Sequence, residues 1–320
     1  MISPYALRLA CLSLACFFLL NLTVGLGVAA ASHPILRIAS RRSPRDAARI
    51  LLWMRLFPSA LAISIVALLC VPSYLYLEPH FDTESIGVLC GLAAILGAAL
   101  LCAAVVRTML AIVRSTRMLR HWKRTASPLR IAGATCLQVP AGRPVIALAG
   151  LFRSRLLVSS DILETLAVDE LELAISHERA HAASADNWKR LLFALAPDAA
   201  PFLKIYGSME RGWAKFTEWA ADEAAAQGDL RRSLSLAAAL VRVARMTSGP
   251  ELPAAMSPLV ADRAGLAERV ERLLSPVAVP MRKSSALLLT AVASTTAVVA
   301  ALCQPAMLSS VHEILEHLIH

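Results

Sequence analysis

The chain has 320 residues, of which 57% are hydrophobic and only 17% charged, with a formal net charge of +9 and a mean hydropathy of +0.61. Soluble domains carry roughly 25% charged residues and a smaller apolar share, so the composition excludes an ordinary soluble enzyme. Intrinsic disorder needs the opposite balance and is excluded too.

The apolar excess is concentrated in runs. Leu9 to Ala31 is 23 residues without a charge, Leu56 to Leu77 is 22, and Ser85 to Val106 is 22, with an apolar extension to Val113. After Lys283 no charged residue appears until Glu313, and residues 284–303 hold the apolar heart of that stretch. A bilayer core about 30 Å thick needs roughly 20 helical residues, so the sequence predicts four transmembrane helices. The first reads as a retained helix: a signal peptide has an apolar region of about 7–15 residues behind a basic segment, and here only Arg8 precedes the run.

Charge then orients the spans. The connection 32–55 reads as a basic loop, with Arg37, Arg41, Arg42, Arg45, Arg49 and Arg55 against one Asp46. The connection between spans two and three carries Glu78, Asp82 and Glu84 and no Lys or Arg, while Arg114, Arg117, Arg120, Lys123 and Arg124 follow span three. Arg282 and Lys283 abut span four, and the tail 304–320 has Glu313 and Glu316 but no Lys or Arg. The positive-inside rule places the N-terminus outside, residues 114–283 in the cytoplasm and the tail outside. The positive charge is therefore explained by lipid topology, with no nucleic-acid partner expected.

Residues 114–283 suffice for one globular domain. Six of the seven cysteines lie in or at the ends of the spans, Cys136 stands alone in the cytoplasmic region, and none is spaced as a metal pair. Leu129–Val139, Pro144–Ala149 and Arg155–Ser159 have strand character bounded by Pro and Gly. From 162 onward the pattern is helical, which predicts an α+β domain with a small sheet followed by helices.

The chemistry is concentrated at His177-Glu178-Arg179-Ala180-His181. On a helix the two histidines lie four apart on one face and can grip one Zn²⁺, while Glu178 sits beside that face as a general base. Asp169 and Glu170 place negative charge in the first turn of the helix, where the dipole favours it. Ala167 and Val168 supply no N-cap oxygen, a weakness worth about 1 kcal/mol. A third ligand is needed. Ser184 and Asn187 stand where a metzincin needs Gly and His, and the other histidine in the cytoplasmic region is His121, in the basic segment. The spacing points to a carboxylate on the Ala-rich stretch Lys215 to Gln227. Glu218 is assigned as ligand, and Asp222, one turn on, as the acceptor that holds a ligating His; Asp186 is a second candidate for that supporting role. Tyr206, Arg211 and Arg179 are the candidates for stabilising a developing oxyanion, and no spacing selects among them.

His177-Glu178-x-x-His181, Asp186 and Glu218-x-x-Ala221-Asp222 resemble the membrane gluzincin peptidases, nearest the beta-lactam sensor–transducers of the BlaR/MecR type and more distantly the HtpX-type and CAAX prenyl proteases. Leu137-Gln138-Val139-Pro140, Gly150-Leu151-Phe152 and Leu156-Leu157-Val158 are similar to the strands preceding that family's active-site helix. Ala167-Val168 departs from its usual Ser-Pro helix start.

The resemblance implies a zincin-like (gluzincin) cytoplasmic domain inserted among the four spans, one Zn²⁺ per chain, and a multi-pass protein of the bacterial inner membrane. It implies a metalloendopeptidase acting on a protein or peptide, such as a repressor or a membrane protein. It also implies an edge strand, Val145, Ile146 and Ala147, that pairs with the substrate backbone. A transducer that is non-catalytic, or that cleaves only itself or a repressor, is the alternative, and a homodimer is compatible with the layout. The sensors carry a penicillin-binding domain after the last span; with 17 residues there, no beta-lactam recognition by this chain itself is expected.

Two segments remain. Leu191 to Leu203 is apolar but broken by Pro197 and Pro201, and either packs into the core or dips into the cytoplasmic leaflet. His312 and His317 in the tail are five apart, which places them roughly 140° apart on a helix, and they cannot share a metal as the first pair does.

Overall fold

The structure, a computed structural model, describes residues 4–77, 86–131, 133–142, 144–150, 154–198, 206–246, 256–258 and 265–275. The expected fourth span at 284–303 and the tail with His312 and His317 lie outside these residues.

Three long helices are apolar and long enough to cross a membrane: Pro4–Ala30, Pro44–Leu77 and Val88–Thr125. The first is α1. Helix α2, Ser32–Ser40, follows it. The second long helix is continuous through α3 (Pro44–Ile65), a π-helical turn at Val66–Cys70, and α4 (Val71–Leu77). The third is α5, Val88–Thr125. The expected basic loop 32–55 is thus largely helical. Its unrecognised signal is Ser43-Pro44: the Ser43 hydroxyl oxygen accepts from the Asp46 amide at 3.2 Å, and Pro44 supplies the fixed φ of a first helical turn. The π-helical turn has a local cause as well. Pro72 offers no amide to the carbonyl four residues back and crowds it, and the helix widens just there.

The polar end of this bundle carries the sheet. Strands β1 (Ser127–Ile131), β2 (Ala134–Val139), β3 (Ile146–Ala149), β4 (Arg155–Ser159) and β5 (Met256–Pro258) are ordered β1-β2-β4-β3-β5. β2 and β4 are parallel and the other pairs antiparallel. The run Leu129–Val139, expected as one strand, is a hairpin that turns through Gly133 at φ +72°, a conformation glycine adopts without steric cost.

The expected substrate edge strand is corrected. β3 pairs with β4 on one side (Ile146 opposite Val158) and with β5 on the other (Ala147 opposite Pro258, Leu148 opposite Ser257). Val145 precedes it, with its amide donating to Ser159 Oγ at 3.0 Å. Every residue of β3 is buried, so its apolar run is that of an inner strand covered on both faces.

The two faces pack against different helices. Cys136, Ile146, Leu156 and Val158 meet α7 (Val168–Ala183) and α10 (Leu230–Met246) through Leu171, Ile175, Leu236 and Leu240. Val145, Ala147, Ala149 and Leu157 meet Trp122 near the end of α5, the alternation a pleated strand requires. Between sheet and α7 comes the short α6, Ser160–Thr165. The missing N-cap oxygen of α7 is partly offset by Glu170, whose carboxylate accepts from the Ala167 amide at 3.0 Å.

Helix α8, Asp186–Leu195, and helix α9, Gly207–Ala226, complete the link to the bundle. Met209, Trp213 and Phe216 of α9 pack on Ala47, Ala48, Leu51 and Leu52 of α3, with Phe193 of α8 alongside. Arg55, fully buried on α3, fastens the contact: its Nε donates to Glu210 Oε1 at 3.1 Å, its Nη2 to the Ala196 carbonyl at 3.2 Å, and its guanidinium lies 4.3 Å from the Tyr206 ring centre. α8 buries Leu191 and leaves Trp188, Leu192 and Leu195 exposed.

Candidate metal centre

α7 presents one buried face along its whole length. Leu171, Ala174 and Ile175 bind it to the sheet, and one turn later His177, Glu178 and His181 continue that face with 0%, 0% and 1% exposure. α9 runs beside it, and its Ala221 and Ala225 keep its contact surface small. α11, Leu266–Leu274, closes the site with Arg269.

His177 Nε2 and His181 Nε2 are 3.1 Å apart. His181 Nδ1 is hydrogen-bonded to Asp186 Oδ2 at 2.8 Å, and His177 Nδ1 lies 2.9 Å from Asp222 Oδ1, close but without the alignment of a hydrogen bond. The Asp186 contact favours the ring hydrogen of His181 on Nδ1, and the neighbouring Asp222 carboxylate favours the same for His177, which leaves the two Nε2 atoms facing one another. The third group there is Glu218, whose Oε2 is 3.5 Å from His177 Nε2 and whose Oε1 is 3.6 Å from His181 Nε2. Ligand atoms of His177, His181 and Glu218 all fall within 4.8 Å of one another, a group that could hold a metal ion.

The donor set fits a divalent transition metal. With metal–nitrogen bonds of about 2.0–2.1 Å in a tetrahedral site, two imidazole nitrogens stand about 3.3 Å apart, against the 3.1 Å found here. Two imidazoles and a carboxylate are also the protein ligands of open, catalytic zinc sites.

Electrostatics agree. Burial disfavours charge on His177, yet the adjoining Asp222 and Glu218 carboxylates outweigh it and raise its pKa. Burial likewise opposes charge on His181, but Glu218 and Asp186 push it up to about 10. Burial would also raise Glu218 and Asp222, and the Arg269 guanidinium instead holds both below the usual carboxylate range. The site thus favours positive charge between the two rings. Glu178 behaves differently: burial lifts it to about 7, with the histidines pulling the other way. Its Oε2 accepts from the Leu148 amide at 2.9 Å. Its Oε1 is buried and has no hydrogen-bond partner among the described residues.

Three residues of the site were not legible as such in the sequence. Arg269 donates from Nε and Nη2 to Asp222 at 2.8 and 2.7 Å and sets Nη1 3.1 Å from Glu218 Oε2. It is one basic residue on an amphipathic helix, and no spacing signals it. Asn187, noted only because it is not a histidine, donates to the Gly150 carbonyl at 3.1 Å and clamps the end of β3. Arg190 lies 3.9 Å from Glu218 Oε1. Of the oxyanion candidates, Tyr206 is packed beneath Arg55, and Arg179 lines a groove with Arg231 and Arg232.

Asp186 reaches back to His181 because the chain reverses within two residues. Ala185 takes the left-handed conformation, φ 54°, and α8 starts at once.

No protein-family profile, no curated protein and no solved structure matches this chain.

Proposed function

We propose that this chain is a membrane-embedded zinc metalloendopeptidase of the membrane gluzincin kind. His177, His181 and Glu218 hold the ion, Glu178 is the general base, and the site works at the cytoplasmic face of a bacterial inner membrane. The observation that carries the reading is the convergence of two imidazoles, each with a carboxylate behind Nδ1, and Glu218 beside a buried carboxylate with a free oxygen. The arginine-rich connections around α2, α3 and the end of α5 support the orientation.

Zinc bound here would supply Lewis acidity, polarising the scissile carbonyl and making water a stronger acid. The protein's own part is proton handling and placement. Glu178 Oε1 takes a proton from the attacking water and returns it to the departing amide nitrogen, so the peptide C–N bond breaks as a C–O bond forms. Burial, which raises the pKa of this carboxyl group, makes it a better proton acceptor and so suits it to take and return the proton. The Leu148 amide fixes the other oxygen and leaves Oε1 without a partner. Asp222 and Asp186 hold the rings in the tautomer that leaves Nε2 free.

The test is Glu178→Gln in the purified full-length protein. Zinc should remain near one per chain, because the base is not a ligand, while casein or self-cleavage falls by at least about 10²-fold. Substantial residual proteolysis overturns the assigned role. A wild-type protein that holds zinc and cleaves nothing points to the transducer alternative.

A further inference from the structure

A second site lies behind the metal centre. α3, the junction of α7 and α8, and α9 enclose a cavity of about 340 Å³, within the usual size of small-ligand pockets. Three cations line it: Arg45 and Arg49 from the first turns of α3, and Lys189 from α8. Two acids stand near. Asp186 lines the cavity but is already engaged by His181 at 2.8 Å and Lys189 at 2.7 Å. Asp46 lies 3.7 Å from Arg49. The wall also contains Trp213 and Thr217, both at least 95% buried. Trp213 Nε1 and Thr217 Oγ1 have no hydrogen-bond partner among the described residues. Buried donors are nearly always satisfied, so two unpaired ones in residues beside this cationic cavity stand out.

Position supplies the ligand class. Trp53, 63% exposed on α3, is of the residue type that sits at membrane–water interfaces. Arg49 and Arg45 precede it by four and eight residues, about 6 and 12 Å along the helix, which is headgroup depth and just beyond. We propose that this cavity binds the phosphate of an anionic ligand, either a phospholipid headgroup or free inorganic phosphate. Arg45, Arg49 and Lys189 neutralise it, against a wall that includes Trp213 and Thr217. The occupant would share Lys189 with Asp186, the residue that orients His181, so the site adjoins the metal centre without entering it.

Native mass spectrometry of the purified full-length protein in detergent tests this. It would be titrated with dioleoylphosphatidylglycerol, with dioleoylphosphatidylcholine and with inorganic phosphate. One phosphatidylglycerol per chain should bind in preference to phosphatidylcholine, and R45Q/R49Q should weaken it roughly thirtyfold. R41Q/R42Q, which removes equal charge outside the cavity, should leave binding within about twofold. Phosphate binding that R45Q/R49Q abolishes, with no lipid bound, keeps the site and identifies the free anion as its source. Ala220→Leu fills the cavity without changing charge and should also block binding. Retained zinc in each variant shows that the fold survives. Equal binding in wild type, R45Q/R49Q and Ala220→Leu, or no binding of any probe, overturns the proposal.

Discussion

Around Tyr74 and Cys90 the helices meet through Leu12, Ala15, Cys70 and Ala94, side chains with almost nothing to donate or accept. Around His177 the helices meet through Glu178, His181, Asp186, Asn187, Asp222 and Arg269, every one of them buried. The first region is held by close approach of small residues, as helix pairs in lipid are. The second is held by a chain of oriented charges, each placed by the next: Arg269 by Asp222, Asp222 against His177, Lys189 by Asp186, Asp186 against His181. Substitutions should therefore act differently in the two regions. A lost partner is severe around the candidate metal centre, whereas added bulk is severe between the membrane helices.

The largest effect expected is at the ligands. On the proposed zinc reading, Glu218→Ala should remove most of the metal from the purified protein, read by metal analysis, because it deletes one of three convergent donors. Glu210→Ala, two turns earlier on the same helix, should keep zinc, since Glu210 is committed to Arg55. Zinc lost from the second variant and kept by the first would place the metal elsewhere on α9.

Arg269→Ala comes next. It strands two buried carboxylates, and breaking a buried pair from one side costs about 3–5 kcal/mol. Zinc affinity should fall about 10–100-fold, as for other groups that orient ligands. Arg269→Lys should recover part of each, because lysine restores the charge without the two-pronged geometry. An Arg269→Ala protein with wild-type zinc affinity would show that Glu218 and Asp222 hold their positions unaided.

In the membrane bundle the sensitive position is Gly97. A Cβ there would collide with the Leu14 carbonyl oxygen of α1, a backbone atom that cannot step aside. Gly97→Val should destabilise by about 1–3 kcal/mol, lowering the thermal transition in detergent while zinc per folded chain stays unchanged. Gly91→Val, with open space around it, is the control.

These contrasts also explain what the sequence could reveal. The apolar runs and the His177–His181 pair were legible because each is a local pattern whose period matches a helix. Glu218 and Asp222 were reachable by the same spacing argument two helices later. Arg269 was not, because its role depends on α11 docking against α9, a tertiary fact with no local signature. The position of β3 was misread for the same reason. An apolar run shows that a strand is buried, and only the pairing with β5 shows that it has no free edge. The helical connection has a local signal in Ser43-Pro44, which a reading of residues 32–55 by their arginines alone does not use.

The smallest effect is expected at Ala185. The left-handed conformation costs a residue bearing a Cβ about 1–2 kcal/mol, and here that strain turns the chain so that Asp186 meets His181 within five residues. Glycine takes the same conformation freely, though it loses more freedom on folding, by roughly 0.5–1 kcal/mol. Ala185→Gly should therefore be stabilising by about 0.5 kcal/mol, raising the thermal transition by about 1–2 °C. Ala185→Val should cost more than it does at an ordinary exposed site, since a branched side chain is least tolerant of positive φ. It should lower zinc affinity too, because straightening the turn carries Asp186 away from His181. If both variants keep wild-type stability and zinc affinity, the reversal at Ala185 is not what positions Asp186, and the Lys189 contact must hold it instead.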